Sequence, residues 1–166
     1  MKPLAALIAG IALIGATSPQ RESIGIYQGW GAFRDSPPPH CYAIAQPVRP
    51  RGSDAFAAIG DWPTLGRRGE VQFRLSRAAR PGAAVTLFVG DRRFALIAKD
   101  RIADAPNPAT DAAIVAAIRA GRSMRVAAVD RRGSPFADLY ALDGAASAID
   151  AAALTCLTRQ GANPAS

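Results

Sequence analysis

The side chains able to do chemistry in this chain are few and far apart. There is one histidine, His40, directly before Cys41, and a second cysteine, Cys156, near the other end. A histidine beside a cysteine suggests a base and a nucleophile, and any serine or cysteine hydrolase here would have to be built on His40. Successive residues of a strand point to opposite faces, however, so the dipeptide does not itself bring the base to the thiol. The chain has no G-x-S-x-G elbow, no H-E-x-x-H pair and no C-x-x-C. Asp100, Asp104 and Asp111 lack the Asp-x-Asp-x-Asp-Gly pattern of a calcium loop and read as solvated loop carboxylates. No catalytic residue, cofactor or metal site is therefore expected, and the chain reads as a non-enzyme.

Arginines offer a different chemistry. They recur in pairs at expected turns, Arg67-Arg68, Arg92-Arg93 and Arg131-Arg132, with Arg49 and Arg51 in the long loop. Guanidinium groups grip carboxylate and phosphate in a bidentate way, so tips that converge would form a basic surface for phosphate or acidic glycan. Tips that alternate between the two ends of the fold would only solubilise it. Trp30 and Trp62 are candidate sugar-stacking platforms or, more simply, anchors of a core and a loop. Gly29 and Gly31 flank Trp30 inside a strand pattern rather than at a strand-to-helix turn, so they make no phosphate cradle.

The N-terminus bears on both questions. Lys2, an apolar run from Leu4 to Ile14, and small residues from Gly15 to Ser18 have the layout of a secretory leader, with cleavage expected after Ala16. The apolar run is too short to span a bilayer, and Arg and Asp interrupt every later one. The expected organisation is a cleaved signal peptide over 1–18, one β-rich domain over 19–160 and a disordered tail over 161–166. The expected location is the periplasm or outside the cell. Without Lys2 the chain keeps 19 basic side chains against 13 acidic ones, all arginine except Lys99. In an oxidising compartment an even cysteine pair is most economically one disulfide, Cys41 to Cys156; two buried free thiols are the alternative.

Periodicity supplies the elements that would position these groups. Ile24 to Arg34 reads as a first strand with a bend, and Cys41 to Val48 as a second, paired to it across Asp35-Ser36-Pro37-Pro38-Pro39. From Pro47 to Gly69 the pattern is lost, and a long surface loop is expected around Trp62. Val71 to Arg77 alternates as a half-buried strand, and Ala83–Val89 with Phe94–Lys99 form a hairpin tipped by Gly90-Asp91-Arg92-Arg93. Thr110 to Ala120 is an amphipathic helix capped by Thr110 and closed by Gly121. Met124–Val129 and Phe136–Leu142 are a strand pair, and a last helix runs from about Gly144 to Arg159 with Ile149, Ala153, Cys156 and Leu157 inward. Dominant hairpins predict a mostly β (α+β) fold, an antiparallel β-sandwich or half-open barrel with two short helices, one mid-chain and one C-terminal.

Against that pattern the chain resembles the invasion-associated locus B (IalB) family of exported proteobacterial proteins. The residues that carry the likeness are Trp30 followed by Cys41 (GWGAFRDSPPPHCYAIAQ) and the ending AAIRAGRSMRVAAVDRRGSPFADLYALDGAASAIDA. In the latter, Leu142-Asp143-Gly144-Ala145-Ala146-Ser147-Ala148 is similar to the family's Leu-x-Gly-Phe-x-x-Ala at the start of its last helix. Ala145 stands where the family usually has Phe, Phe33 where a cysteine often follows the tryptophan, and the family's mid-domain cysteine pair is missing. The resemblance implies a periplasmic or outer-membrane-associated protein linked to host-cell entry, with no catalytic residues to carry over. Three functional expectations follow. The first is an envelope protein acting by binding or structural association, with an envelope protein as partner. The second is an arginine-mediated binder of lipopolysaccharide, acidic glycan or nucleic acid, although no nucleic-acid motif is present. The third is a periplasmic hydrolase using His40.

Overall fold

The computed structural model describes residues 20–50 and 52–161. The expected leader lies outside them, as does the expected tail beyond Gly161. Within them, strands β1 (Gln20–Tyr27), β2 (Trp30–Ser36), β3 (His40–Ala45), β4 (Phe56–Trp62) and β5 (Arg67–Arg74) come first. They are followed by β6 (Val85–Val89), β7 (Arg92–Lys99), β8 (Ile102–Asp104), helix α1 (Pro108–Ala120), β9 (Ser123–Val129), β10 (Pro135–Ala141) and helix α2 (Ala145–Gly161). All pairings are antiparallel and join ten strands in the order β1-β2-β3-β4-β5-β8-β7-β6-β9-β10.

This sheet is not closed, since β1 and β10 are its edges, but it curls until its halves meet. The amide of Val48, just beyond β3, donates to the carbonyl of Leu139 in β10 at 2.7 Å. The indole N–H of Trp30 donates to the carbonyl of Ala141 at 2.9 Å. Alternation along each strand sends Trp30, Ala32, Cys41, Ala43, Ile59, Phe73, Leu87, Val126 and Tyr140 into the shared interior. Helix α2 covers the inner side of β1–β4, and α1 packs on β5. Trp30 is fully buried and bonds across the seam, so it couples the two halves. Trp30→Phe, which leaves the Ala141 carbonyl without its donor, is expected to cost about 1 to 3 kcal/mol by denaturant unfolding.

Several local expectations are corrected. The stretch Ile24–Arg34 is not one bent strand. It turns at Gln28–Gly29, with Gln28 at φ 54°, so that Tyr27 pairs with Trp30 and two strands of a hairpin result. The long loop from Pro47 to Gly69 contains β4, a one-turn 3-10 helix over Pro63–Leu65 and the start of β5. Strand β4 escaped notice because its outer positions Ala58 and Gly60 are small rather than polar, which erases alternation. Between Asp100 and Asp104 lies β8, three residues long, which bridges β5 to β7.

Of the two caps of α1, the N-terminal one differs from expectation and the C-terminal one is as expected. Asn107, not Thr110, caps α1, and its side chain accepts from the Thr110 amide at 2.9 Å. Gly121 ends α1 in an extended conformation, and its smallness serves packing, because a Cβ there would crowd Leu142 and Val89. Helix α2 buries Ala145, Ala148, Ile149, Ala152 and Cys156, whereas Leu157 is 43% exposed.

Candidate functional site

The disulfide fixes the floor beneath the site. Cys41 and Cys156 are bonded with their Cα atoms 5.9 Å apart, tying the inner face of β3 to α2. Both residues are buried. Cys41 is thus held in a disulfide, and it faces away from His40, as strand alternation requires.

On the other side of the same strands lies an open groove of about 1040 Å³. Its depth follows from side-chain size across the register. Gly60 and Ala58 on β4 are small, and they sit between Tyr42 and Ile44 on β3 and Glu70 and Gln72 on β5. Along one wall the aromatic residues form a ladder. The His40 ring stacks on Trp62 with centroids 3.9 Å apart and an interplanar angle of 3°, and on Tyr42 at 4.8 Å and 17°. Phe33 continues the row 5.9 Å from Tyr42. The Arg21 guanidinium lies over both Phe33 and Tyr42 and grips Asp35 through two hydrogen bonds of 2.9 and 3.0 Å. These stacking and ion-pair contacts hold the side chains of the wall in place.

Electrostatics follow from the same contacts. The Arg21 hydrogen bond holds the Asp35 carboxyl below its ordinary range. Burial, with the Asp35 charge added, pushes the Tyr42 hydroxyl up to about 12. Asp54 at the groove edge is held at about 2 by Arg101 and Arg74. At the opposite corner, where β5, β8 and α1 meet, burial raises Asp104 and Asp111 above the usual carboxylate value, and the Glu70 charge adds to both shifts. Asp111 accepts from the Val71 amide at 2.8 Å and Asp104 from Gln72 at 3.2 Å. Neither has a basic partner among the described residues.

Burial between two rings lowers the His40 pKa below its ordinary 6.5. The unfolded chain therefore takes up this proton first as pH falls. His40 contributes its full stability above about pH 6.5 and loses it as pH drops through the folded midpoint. Because it is the sole histidine, its imidazole resonances should report one titration with a midpoint under 6.5 in the native protein, rising to 6.5 in denaturant.

The arginine pairs do not all converge. Arg67 and Arg68 open β5 beside Ala153, Cys156 and Leu157 of α2, and Arg67 pairs with Glu70 at 2.6 Å. Arg92 and Arg93 belong to β7 rather than to its turn, with Arg92 over the Phe94 ring. They lie at the end of the sheet where β9 begins, since Val89 pairs with both Arg92 and Met124. Arg131 and Arg132 follow the end of β9 and so occupy the opposite end, where Arg131 pairs with Asp100 at 2.7 Å. The register does reveal a group that sequence reasoning missed. Leu139, Arg125, Phe88 and Arg93 face one another across β10, β9, β6 and β7 on the outer surface, with Arg125 stacked 4.0 Å from the Phe88 ring centroid. Arg93 and Arg125 have no ion pair among the described residues, and no carboxylate stands on that face of these four strands.

The groove itself was also invisible in the sequence, because its residues come from six strands, the segments between them and the start of α1. Of the two tryptophans, Trp30 is core and Trp62 lines the groove. Among the described residues no group of three or more His, Cys, Asp or Glu is placed to hold a metal ion. Among them, too, no helix is long and apolar enough to cross a membrane.

No family model and no curated protein sequence matches the chain. Among solved structures it is similar to the crystal structure of invasion associated protein B from Bartonella henselae, with a TM-score of 0.59 and 18% identity. The match covers 83% of this chain and 99% of that one. The curled ten-stranded sheet with its two helices is therefore an IalB-like fold.

Proposed function

We propose that this is an exported envelope protein that acts by binding rather than by catalysis, with the groove over β2–β5 as its binding face and a host or surface partner as its target. The observation that carries this reading is the groove of about 1040 Å³ with a pre-stacked aromatic wall. Concave sites with fixed aromatic and charged side chains are where proteins bind. The Cys41–Cys156 bond supports an oxidising destination, and likeness to a protein named for invasion supports an envelope role. A hydrolase on His40 finds little support: both ring faces are stacked, Cys41 is bonded elsewhere, and Asp35 is held by Arg21.

Crosslinking in the native envelope tests the reading. Ala58→Leu fills the groove and should abolish the partner crosslinks, whereas Arg131→Ala, at a residue that does not line the groove, should keep them. Unchanged crosslinks in Ala58→Leu would contradict the groove as the binding face.

A second reading, binding of anionic ligands, is favoured by the unpaired Arg93 and Arg125 beside Phe88. Retention on a polyanion column that falls in the Arg93→Ala/Arg125→Ala chain, but not in Arg131→Ala/Arg132→Ala, would support it.

A further inference from the structure

We infer that the groove takes an extended basic polypeptide segment, one cationic side chain of which seats against Asp104, Asp111 and Glu70. This rests on the groove being the binding face. Size is the first argument. An open groove of about 1040 Å³ lies at the top of the range of roughly 300–1,000 Å³ usual for small-molecule sites, and its length across β1, β2, β3, β4, β5 and β8 suits a stretch of polymer.

Charge is the second argument. The chain as a whole carries a formal charge of +7, yet the groove is lined by five carboxylates and three arginines. Each of those arginines is already engaged: Arg21 by Asp35, Arg67 by Glu70 and Arg74 by Asp54. What is left uncompensated is Asp104 and Asp111; Glu70, already paired with Arg67, adds its charge beside them. A partly buried carboxylate pair without a cation is costly, and a cation supplied by a ligand offsets that cost. Anionic glycan and nucleic acid meet the wrong sign here.

Ring geometry narrows the class further. Both faces of His40 and one face each of Trp62 and Tyr42 are occupied within the ladder, so the wall does not offer the row of free ring faces on which sugars stack. The indole nitrogen of Trp62 lies 3.6 Å from where a Cβ on Gly60 would sit, and it has no acceptor among the described residues. A polypeptide supplies carbonyl acceptors for that N–H as well as a cationic side chain, whereas a polyamine supplies only the cation. Lysine and arginine stems also lie well along apolar walls such as Phe56 and Ile44.

Trp62 provides the readout, since Trp30 is sealed in the core and should emit constantly. The probes are a capped decapeptide of alternating Arg and Thr, its Glu-for-Arg counterpart, spermine, and a neutral glucan oligosaccharide. The basic peptide should change Trp62 emission saturably, with no change in the Trp62→Phe chain, and rising salt should weaken it. Asp104→Asn should weaken it about tenfold or more, as expected for loss of a charged hydrogen bond. Ala58→Leu should abolish binding.

Tighter binding of the acidic peptide or the oligosaccharide, or spermine matching the peptide, would overturn the ligand class. If such binding remained sensitive to Ala58→Leu, the groove as binding face would still stand. Basic-peptide binding that ignores both Asp104→Asn and Ala58→Leu would place it elsewhere on the surface and overturn the inference. Envelope crosslinks that survive Ala58→Leu would instead remove the groove reading on which it rests.

Discussion

Gly144→Ala is expected to be the most damaging single-methyl change in this protein. Gly144 sits at φ 83°, immediately before α2, and a Cβ there would overlap the carbonyl of Tyr27 at the β1–β2 turn. The left-handed conformation alone costs a non-glycine residue about 1 to 2 kcal/mol. Steric overlap with backbone comes on top, because backbone cannot swing aside as a flexible side chain can. The helix start would have to move off the turn, and with it the packing of Ala145 and Ala148, both fully buried. Against a total stability of roughly 5–15 kcal/mol, a fall in melting temperature of about 10 °C or more is expected by circular dichroism. Gly133→Ala is the control, since Gly133 has φ 86° but open space around it and bears only the conformational cost. Equal melting temperatures for the two variants would mean that the Tyr27 contact is unimportant.

The Cys41→Ala/Cys156→Ala chain should show the second large loss. The bond closes a sequence separation of 115 residues, which in the chain-entropy model stabilises the fold by about 4 to 5 kcal/mol. Both side chains are buried, so their truncation adds a packing term. Reduction of the wild type should reproduce most of the drop, and α2 should detach first, since the disulfide is its covalent tie to the sheet. Hydrogen exchange would then show early loss of protection in Ala145–Gly161. Intact mass with and without thiol alkylation checks the premise: two labels before reduction would mean that the bond is not formed in the exported protein.

These two sites show how much was legible in the sequence. The Leu142-Asp143-Gly144 run carried the family resemblance as a string of letters. The need for glycine became physical only when the β1–β2 turn was found resting on it. The cysteine pairing rested on count and expected compartment, and geometry then put the two Cα atoms 5.9 Å apart. The hairpin of β6 and β7, the pair β9 and β10 and both helices were readable because each has one wet face and one dry face. Strand β4 was not, because Ala58 and Gly60 carry no polar signal on the groove side. Strand β8 is too short to show a period.

The sequence by itself determined the class of the fold, the absence of known catalytic motifs and the presence of a single cysteine pair, because local periodicity, motif spacing and composition are properties of neighbours along the chain. Only the tertiary structure decided which side chains share a surface. It set Arg131 at the opposite end of the sheet from Arg92, paired Arg93 with Phe88, and brought Arg21, His40, Trp62 and Asp104 to one groove. Register and strand order across a curled sheet determine those neighbours, and the contacts that set them join residues tens of positions apart.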